Sequence, residues 1–309
     1  MNENNTTSVP LDHHSMFANI YSFAGLPLSR DLSDTAVDAV VMGVPYDLGT
    51  SGRAGARSGP AAIRQASANL RWEGRRWPWG FALPERLSAI DFGDVVFAGG
   101  DSEDMLAQVT DCAGRIAAAG KTLVSLGGDH FATLPLLRGV VQEHGRLALI
   151  HFDAHTDTYD DGEKYNHGCM FHRAPREGLL DPSRSVQVGI RTEYDVADHE
   201  YLVLDAHRVN GQSVADTVAA IRQRVGDAPA YLTFDIDCLD PAFAPGTGTP
   251  VIGGLSSSQA LRILQGLADL NIVAFDVMEV SPPFDHAQIT SLAGATLALQ
   301  FLYMRASRG

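Results

Sequence analysis

The chain of 309 residues contains only three cysteines, Cys112, Cys169 and Cys238, which lie far apart in the sequence. Cysteines so few and so dispersed exclude a disulfide framework and favour a reducing compartment. No apolar stretch approaches the roughly 20 residues that a membrane-spanning helix needs. The first residues lack a basic region followed by an apolar segment, so no secretory signal is predicted. We therefore expect a cytoplasmic protein with no membrane partner.

Basic residues are also in the minority, since 23 Lys and Arg stand against 37 Asp and Glu and give a formal net charge of −14. No basic stripe is visible for phosphate neutralisation, which argues against a nucleic-acid partner. The acidic balance suits a small cationic substrate, although it is also common among soluble cytosolic proteins. Internal repeats, low-complexity tracts and a Pro/Ser-rich linker are absent as well. Their absence favours one large domain.

Apolar, strand-like runs alternate with helix-like stretches along most of the chain. Strands are predicted at 38–44, 87–92, 122–127, 147–153, 185–190, 201–205, 230–236 and 272–279, and helices at 58–72, 103–119, 132–144, 211–225, 256–269 and 288–306. This alternation predicts an α/β fold, a three-layer αβα sandwich with a mostly parallel sheet of about eight strands. Residues 1–35 are polar and irregular and are predicted to form an N-terminal arm or surface segment, with 36–309 as one domain.

Carboxylate and imidazole side chains gather where three predicted strands end. The set comprises Asp153, His155 and Asp157 after one strand, Asp235 and Asp237 after another, and His130 after a third. Residues two apart in an extended chain point to the same side, so the first three should converge. Ligands in parallel sheets bind beyond the carboxyl ends of the strands. These six groups are enough to hold two divalent metal ions.

The donor set also indicates which metal and which chemistry to expect. An oxygen-rich set with a minority of imidazoles suits Mn²⁺, while zinc, cobalt and iron remain alternatives. Two such ions lower the pKa of a bound water, which indicates a hydrolase without specifying the bond. A cysteine mechanism with Cys169 near His167 is a further alternative. His151, two residues before Asp153, is a candidate for supporting the ligands, and Cys238 is predicted to pack in the core.

Three motifs carry a family resemblance. They are Gly127-Gly-Asp-His130, Asp153-Ala-His-Thr-Asp157 and Thr233-Phe-Asp-Ile-Asp237-Cys-Leu-Asp-Pro241. Together they resemble the ureohydrolase family of arginases, agmatinases and relatives, and the similarity runs from Gly43-Val-Pro-Tyr46 to Glu279-Val-Ser-Pro-Pro283. The resemblance implies an arginase-like eight-stranded sheet, a trimer or hexamer, and two Mn²⁺ per chain. One ion would be held by His130, Asp153, Asp157 and Asp235, and the other by Asp153, His155, Asp235 and Asp237.

The same resemblance implies roles for four residues near the metals. Glu279 would receive the guanidinium group of the substrate, because a carboxylate complements its planar fork of donors. Asp157 would pass a proton from the attacking hydroxide to the departing amine. His167, in Asn166-His-Gly, would shuttle protons, and Thr249 would contribute a pocket hydroxyl or backbone contact.

The segment between Asp157 and His167 bears on the substrate. It offers Asp160, Asp161 and Glu163 against a single Lys164, which favours a second cation over a carboxylate. We therefore expect agmatine as substrate, with urea and putrescine as products. The acidic segment could instead be a solvated loop, and the substrate could instead be guanidinobutyrate or guanidinopropionate. Alternatives for the function as a whole are a di-metal phosphoesterase and a non-catalytic binding protein.

The glycine-rich stretch 49–59 admits a competing interpretation. Glycines before a helix can cradle phosphate, but no Gly-Lys-Ser/Thr follows and the dinucleotide fingerprint is absent. We expect instead a loop near the site, tied by Arg53, Arg57 and Arg64.

Overall fold

The computed structural model describes residues 21–160 and 162–308, and the fold is built around one sheet. Its strands are β1 (Ala39–Gly43), β2 (Ala89–Asp94), β3 (Thr122–Leu126), β4 (Ala148–Phe152), β5 (Val186–Val188), β6 (Leu202–Leu204), β7 (Ala230–Asp235) and β8 (Ile272–Met278). All neighbouring strands are parallel, in the order β2-β1-β3-β8-β7-β4-β5-β6. The predicted eight-stranded sheet is confirmed.

Helices cover both faces of the sheet and produce two hydrophobic cores. They are α1 (Gly59–Ser67), α2 (Ser102–Ala118), α3 (Thr133–His144), α4 (Met170–Arg176), α5 (Ala206–Gly211), α6 (Val214–Val225), α7 (Ser257–Gly266) and α8 (Ile289–Ala306). One core lies under α1 and α5–α8, and the other under α2–α4. Within β4, Ile150 faces the first core and Leu149 the second, as expected for a strand buried on both sides. The three-layer αβα fold class is therefore confirmed.

Two short helices were not predicted from the sequence. Helix α4 has only seven residues and contains Pro175, and α5 has six residues. Neither is long enough for a helical period to stand out in the sequence. Helix α4 matters for the site because its Phe171 packs against the rings of His130 and His151.

The predicted N-terminal segment is described only from residue 21 onwards. Phe23 is fully buried, and its backbone N–H donates to the carboxylate of Asp91 at the edge of the sheet. Residues 1–20, Asp161 and Gly309 lie outside the described residues. None of the helices formed by the described residues combines the length and apolar character that crossing a membrane requires.

The carboxyl ends of four neighbouring strands, β3, β8, β7 and β4, form one stretch of the sheet edge. Gly128 follows β3 there, and a side chain at this position would overlap the carbonyl oxygen of Tyr46. The close approach allows the Asp129 N–H to donate to the Tyr46 carbonyl at 2.7 Å and the Glu279 N–H to donate to the Gly128 carbonyl at 2.8 Å. The turns after β3 and β8 are thereby fixed against each other.

Candidate metal centre

The ring of His130 is the centre of a group of carboxylates at this edge. Its Nδ1 lies 2.9 Å from Asp157 Oδ2, 3.0 Å from Asp153 Oδ2 and 3.2 Å from Asp235 Oδ2. This buried nitrogen nevertheless makes no hydrogen bond of acceptable geometry within the described residues. A nitrogen aimed between three carboxylate oxygens, rather than at one of them, fits a metal ligand better than a hydrogen-bond donor.

The hydrogen bond of the other ring nitrogen, Nε2, determines the tautomer of His130. His130 Nε2 lies 2.8 Å from Thr233 Oγ1, which in turn lies 2.5 Å from Asp276 Oδ1. Because Asp276 accepts the Thr233 hydroxyl proton, Thr233 accepts from Nε2–H. The proton therefore sits on Nε2, and Nδ1 offers its lone pair to the site. The sequence did not predict that Thr233 and Asp276 orient His130, because both lie inside apolar strands where a role in packing is expected.

Asp153 belongs to both potential metal sites. His130, His151, Asp153 and Asp157 each offer a ligand atom within 4.8 Å of the others, and Asp153, His155 and Asp237 form a second such group. Asp235 joins through its 3.2 Å approach to His130. The structure therefore brings all six predicted metal-ligating residues to one place.

The expectation that strand alternation makes these side chains converge is wrong. Strand β4 ends at Phe152, and Asp157 adopts a left-handed backbone with φ of 52°. Asp237 lies in a 3₁₀ turn, where its N–H donates to Asp235 Oδ1 at 2.8 Å. Except for Asp235, the last residue of β7, the ligands thus lie on turns that follow the strands. A non-glycine residue at positive φ, as at Asp157, is a strained conformation typical of functional sites.

The pKa values of these groups reflect crowding of buried charge. Burial, together with the charge of Asp153, raises the pKa of Asp157 to about 6. Burial alone would lower the pKa of His155, but its contacts with Asp153 and Asp237 outweigh that and raise it to about 12. Burial and the nearby Asp237 and Asp153 charges raise the pKa of Asp235 well above its usual value. Four buried carboxylates so close together need compensating positive charge, and divalent cations fit this donor set.

A pocket of about 250 Å³ opens beside the cluster. It is lined by Ser51, His155, Asp157, Tyr159, Asn166, His167, Gly168, Asp235 and Thr249. The hydroxyl of Thr249, one of these lining residues, donates to Asp237 Oδ2 at 3.3 Å. Sequence reasoning missed Ser51, Tyr159 and Asn166 as pocket residues, because they lie on loops whose approach depends on the folded structure.

His167, which lines this pocket, is paired with the buried Glu279. His167 Nδ1 lies 2.7 Å from Glu279 Oε1, and His167 Nε2 lies 2.7 Å from Ser51 Oγ. Burial works against charge on His167, but attraction to Glu279 outweighs it and raises the His167 pKa to about 9. Glu279 Oε1 also accepts the backbone N–H of His130 at 2.9 Å, whereas Oε2 has no hydrogen-bond partner among the described residues.

Two acidic residues of the predicted segment, Asp160 and Glu163, lie outside the pocket lining. Asp160 is 72% exposed, and its Oδ2 lies 3.4 Å from His172 Nε2 in a neighbouring cavity. Glu163 accepts the side-chain N–H of Asn166 at 2.7 Å. Asp161 lies outside the described residues. Asp160 and Glu163 therefore do not line the pocket, although Glu163 contacts the lining residue Asn166.

The glycine-rich loop reaches the site, as expected. Arg53 donates to the carbonyls of Thr247 and Gly248, next to the pocket residue Thr249. Arg57 pairs with the buried Asp47 at 2.5 Å. Arg64 does not tie the loop, because its guanidinium is buried against Asp91 and Asp94 at the end of β2.

Two cysteines adjoin the site without entering it. Cys169 is buried and donates to the carbonyl of Asn166 at 3.1 Å. Cys238 is fully buried, and burial raises the pKa of its thiol well above the usual value. Neither lines the pocket, and the raised thiol pKa of Cys238 opposes its use as a nucleophile.

Comparison with known proteins agrees with this architecture. A family model described as the arginase family matches residues 37–304. Over 295 residues the chain is 56% identical to the agmatinase of Escherichia coli strain SE11, which covers 96% of each protein. A crystal structure of a hypothetical agmatinase from Burkholderia thailandensis has a TM-score of 0.91 and 46% identity, covering 95% of this chain and 93% of that one. Proclavaminate amidino hydrolase from Streptomyces clavuligerus has a TM-score of 0.89 and 38% identity, covering 96% and 100%. The chain therefore belongs to the arginase family.

Proposed function

We propose that this chain uses two Mn²⁺ ions to hydrolyse the guanidino group of agmatine to urea and putrescine. The observation that carries the proposal is the position of Glu279, a buried carboxylate with an unpartnered Oε2 beside the histidine–aspartate cluster. The 56% identity to a protein named agmatinase supports the choice of substrate.

The proposed ligands follow from the geometry around His130. His130, Asp153, Asp157 and Asp235 would hold one ion, and Asp153, His155, Asp235 and Asp237 the other, so that Asp153 and Asp235 are shared. When bound, two divalent cations lower the pKa of a water molecule enough to make it a nucleophile near neutral pH. The oxygen-rich donor set favours manganese over a sulfur-seeking metal.

Glu279 would orient the substrate. A guanidinium keeps its positive charge and presents N–H groups in one plane, so a carboxylate binds it with matched shape and charge. Oε2 of Glu279 has no hydrogen-bond partner among the described residues and could accept, while Oε1 already accepts from the His130 backbone and the His167 ring. Glu279 is only 1% exposed, so the guanidinium would reach it by displacing the His167 ring.

Asp157 and His167 would move protons. Asp157 lines the pocket beside the cluster, which places its carboxylate where it could accept and donate a proton. We assign to it the transfer of a proton from the nucleophile to the departing amine. His167, also in the lining, would exchange protons between the pocket and solvent.

The remainder of the pocket suits an amine better than a carboxylate. Its lining residues among those described include no Lys or Arg, while Tyr159, Asn166 and Ser51 offer polar, uncharged groups. A carboxylate-bearing guanidino compound would therefore meet no Lys or Arg there, and the imidazoles of His155 and His167 are already paired with carboxylates. Asp160 and Glu163 would act on the substrate's remote ammonium only at longer range, as part of a chain with net charge −14.

A panel of substrates tests this function. Urea release would be measured with added Mn²⁺ from agmatine, arginine, guanidinobutyrate and guanidinopropionate, with p-nitrophenyl phosphate hydrolysis in parallel. We expect the highest kcat/KM for agmatine and no phosphatase activity. A preference for arginine or a carboxylate-bearing substrate would contradict the substrate assignment, and phosphate-ester turnover would contradict the reaction.

We also propose that the protein is a cytoplasmic homo-oligomer, a trimer or hexamer. Cys112, Cys169 and Cys238 form no disulfide among the described residues, which supports a reducing compartment. Phe243, Ile289 and Leu292 are between 38% and 43% exposed and line one apolar groove, which supports association with another copy. Light scattering of the purified protein would show a mass several times 33.1 kDa. A monomer at micromolar concentration would contradict this proposal.

A further inference from the structure

A buried glutamine on the neighbouring strand contacts the histidine that supports Asp153. Gln187 is fully buried on β5, and the parallel register places it beside His151 of β4. Its amide nitrogen lies 3.0 Å from His151 Nδ1, and His151 Nε2 lies 2.8 Å from Asp153 Oδ2. A continuous chain of contacts therefore runs from Gln187 to the carboxylate shared by both proposed metal sites.

The orientation of the Gln187 amide is fixed by its other contacts. Its nitrogen lies 2.6 Å from the carbonyl oxygen of Thr156, which can only accept a hydrogen bond. Its oxygen lies 2.7 Å from His199 Nε2, which can donate. Exchanging the amide oxygen and nitrogen would place two oxygens against each other at the Thr156 contact. The group facing His151 Nδ1 is therefore N–H.

This orientation fixes where the proton of His151 resides. Because Gln187 donates to Nδ1, that nitrogen is the acceptor and the ring proton sits on Nε2. Nε2–H then donates to Asp153 Oδ2, the same oxygen that lies 3.0 Å from His130 Nδ1. With this tautomer the ring directs Oδ2, whereas the other tautomer would set a nitrogen lone pair against a carboxylate oxygen.

We propose that Gln187 is a positioning residue that selects the Nε2–H tautomer of His151 and so aims the Asp153 carboxylate at both metal ions. The proposal rests on the metal role assigned to Asp153 above and is independent of the substrate. Groups that orient metal ligands in this way commonly contribute about 10- to 100-fold to metal affinity. Nothing in the sequence marks Gln187, which occupies the middle of a three-residue strand.

Two substitutions separate positioning from packing. Gln187→Met keeps the length of the side chain and removes its donor. Gln187→Glu keeps the shape but replaces the donor with an acceptor, which favours a proton on His151 Nδ1. Gln300→Met is the matched control, because Gln300, on helix α8, is another buried glutamine, 2% exposed, and its side-chain oxygen accepts from the indole N–H of Trp79, away from the cluster.

The test measures Mn²⁺ affinity and the tautomer, and needs no turnover. Mn²⁺ dissociation constants would be obtained by chelator competition, with circular dichroism confirming that each variant is folded. Nitrogen-15 shifts of labelled histidines in chelator-treated protein would report the tautomer, with His151→Asn identifying the His151 signals. We expect Nε2–H in the unsubstituted protein, Nδ1–H in Gln187→Glu, about 10- to 100-fold weaker Mn²⁺ binding in both Gln187 variants, and unchanged binding in Gln300→Met.

Any other result contradicts either the role of Gln187 or the proposed function. Unaltered Mn²⁺ affinity in a folded Gln187 variant, or an Nδ1–H tautomer in the unsubstituted protein, overturns the role of Gln187 and leaves the proposed function intact. If neither variant folds, the tautomer of the unsubstituted protein decides alone. Failure of the unsubstituted protein to bind Mn²⁺ overturns both the proposed function and this inference.

Discussion

The imidazole of His167 and the carboxylate of Glu279 are paired at 2.7 Å, joining the loop after β4 to the end of β8. The contact places a proton-carrying ring on the group that we assign to the guanidinium. It also leaves Glu279 Oε2 without a hydrogen bond among the described residues. The pair therefore links substrate binding to proton transfer. Substitution of His167 and substitution of Glu279 should change different kinetic parameters.

Substitution of His167 by Asn should lower kcat by about 100- to 10,000-fold, the usual contribution of a positioned proton-transfer group. Metal content should remain unchanged, because His167 is not among the proposed ligands. His172→Asn is a suitable control, since His172 lies outside the pocket next to Asp160. Steady-state kinetics with metal analysis would check this, and near-normal kcat in His167→Asn would remove the residue from the mechanism.

Substitution of Glu279 by Gln should chiefly weaken productive binding of the guanidinium. Loss of a hydrogen bond to a charged group costs about 2 kcal/mol or more, which corresponds to a drop in kcat/KM of at least about 30-fold. The measurement is kcat/KM for agmatine, together with the stability of the variant, because Glu279 also accepts the His130 backbone N–H. An unchanged kcat/KM would show that another group receives the guanidinium.

Substitution of Asp235 by Ala should abolish turnover and sharply weaken metal retention, because it removes a ligand shared by both ions. Asp240→Asn provides a control from the same segment, since Asp240 accepts the backbone N–H groups of Ala242 and Gly253 and is not part of the cluster. Metal content after gel filtration and urea release would be measured for both variants. Retention of two ions by Asp235→Ala is the contrary result.

Metal binding should release protons and strengthen as the pH rises. A ligating carboxylate or imidazole must lose its proton, and the pKa of Asp157 is raised to about 6 while that of His155 is raised to about 12. Mn²⁺ affinity should therefore fall as the pH drops through about 6, and His155 should release a proton on binding near neutrality. Calorimetry in buffers of different ionisation enthalpy would count the protons, and a count of zero would contradict the ligand set.

Substitution of Cys169 by Ser should retain most of the activity. The thiol is buried and donates to the Asn166 carbonyl, a contact that a hydroxyl can reproduce. Urea release by the variant would be compared with that of the unsubstituted protein. Complete loss in a folded, metal-loaded variant would favour the cysteine mechanism instead.

Local sequence patterns were enough to predict the sheet and to identify the residues that cluster at its edge. Eight apolar runs predict the eight strands, because a parallel sheet covered on both faces needs nearly continuous apolar strands. His130, Asp153 and Asp235 are recognisable because donor residues follow those runs directly. The positions of the ligands relative to one another could not be predicted in the same way, because Asp157 adopts a left-handed backbone instead of the expected extended one.

The supporting contacts could not be predicted because they join segments far apart in sequence. Thr233 contacts His130 across 103 positions, and Ser51 contacts His167 across 116 positions. Gln187 reaches His151 only through the pairing of β5 with β4. Such partners depend on strand order and register, which a single strand's pattern does not encode.

The most direct test is the metal dependence of agmatine hydrolysis. Protein treated with a chelator would be titrated with Mn²⁺ while bound metal per chain and urea release from agmatine are measured on the same samples. The account predicts negligible urea release before Mn²⁺ is added and full activity as occupancy approaches two ions per chain. Full urea release from protein shown to contain no metal, or no release at full occupancy, would contradict it.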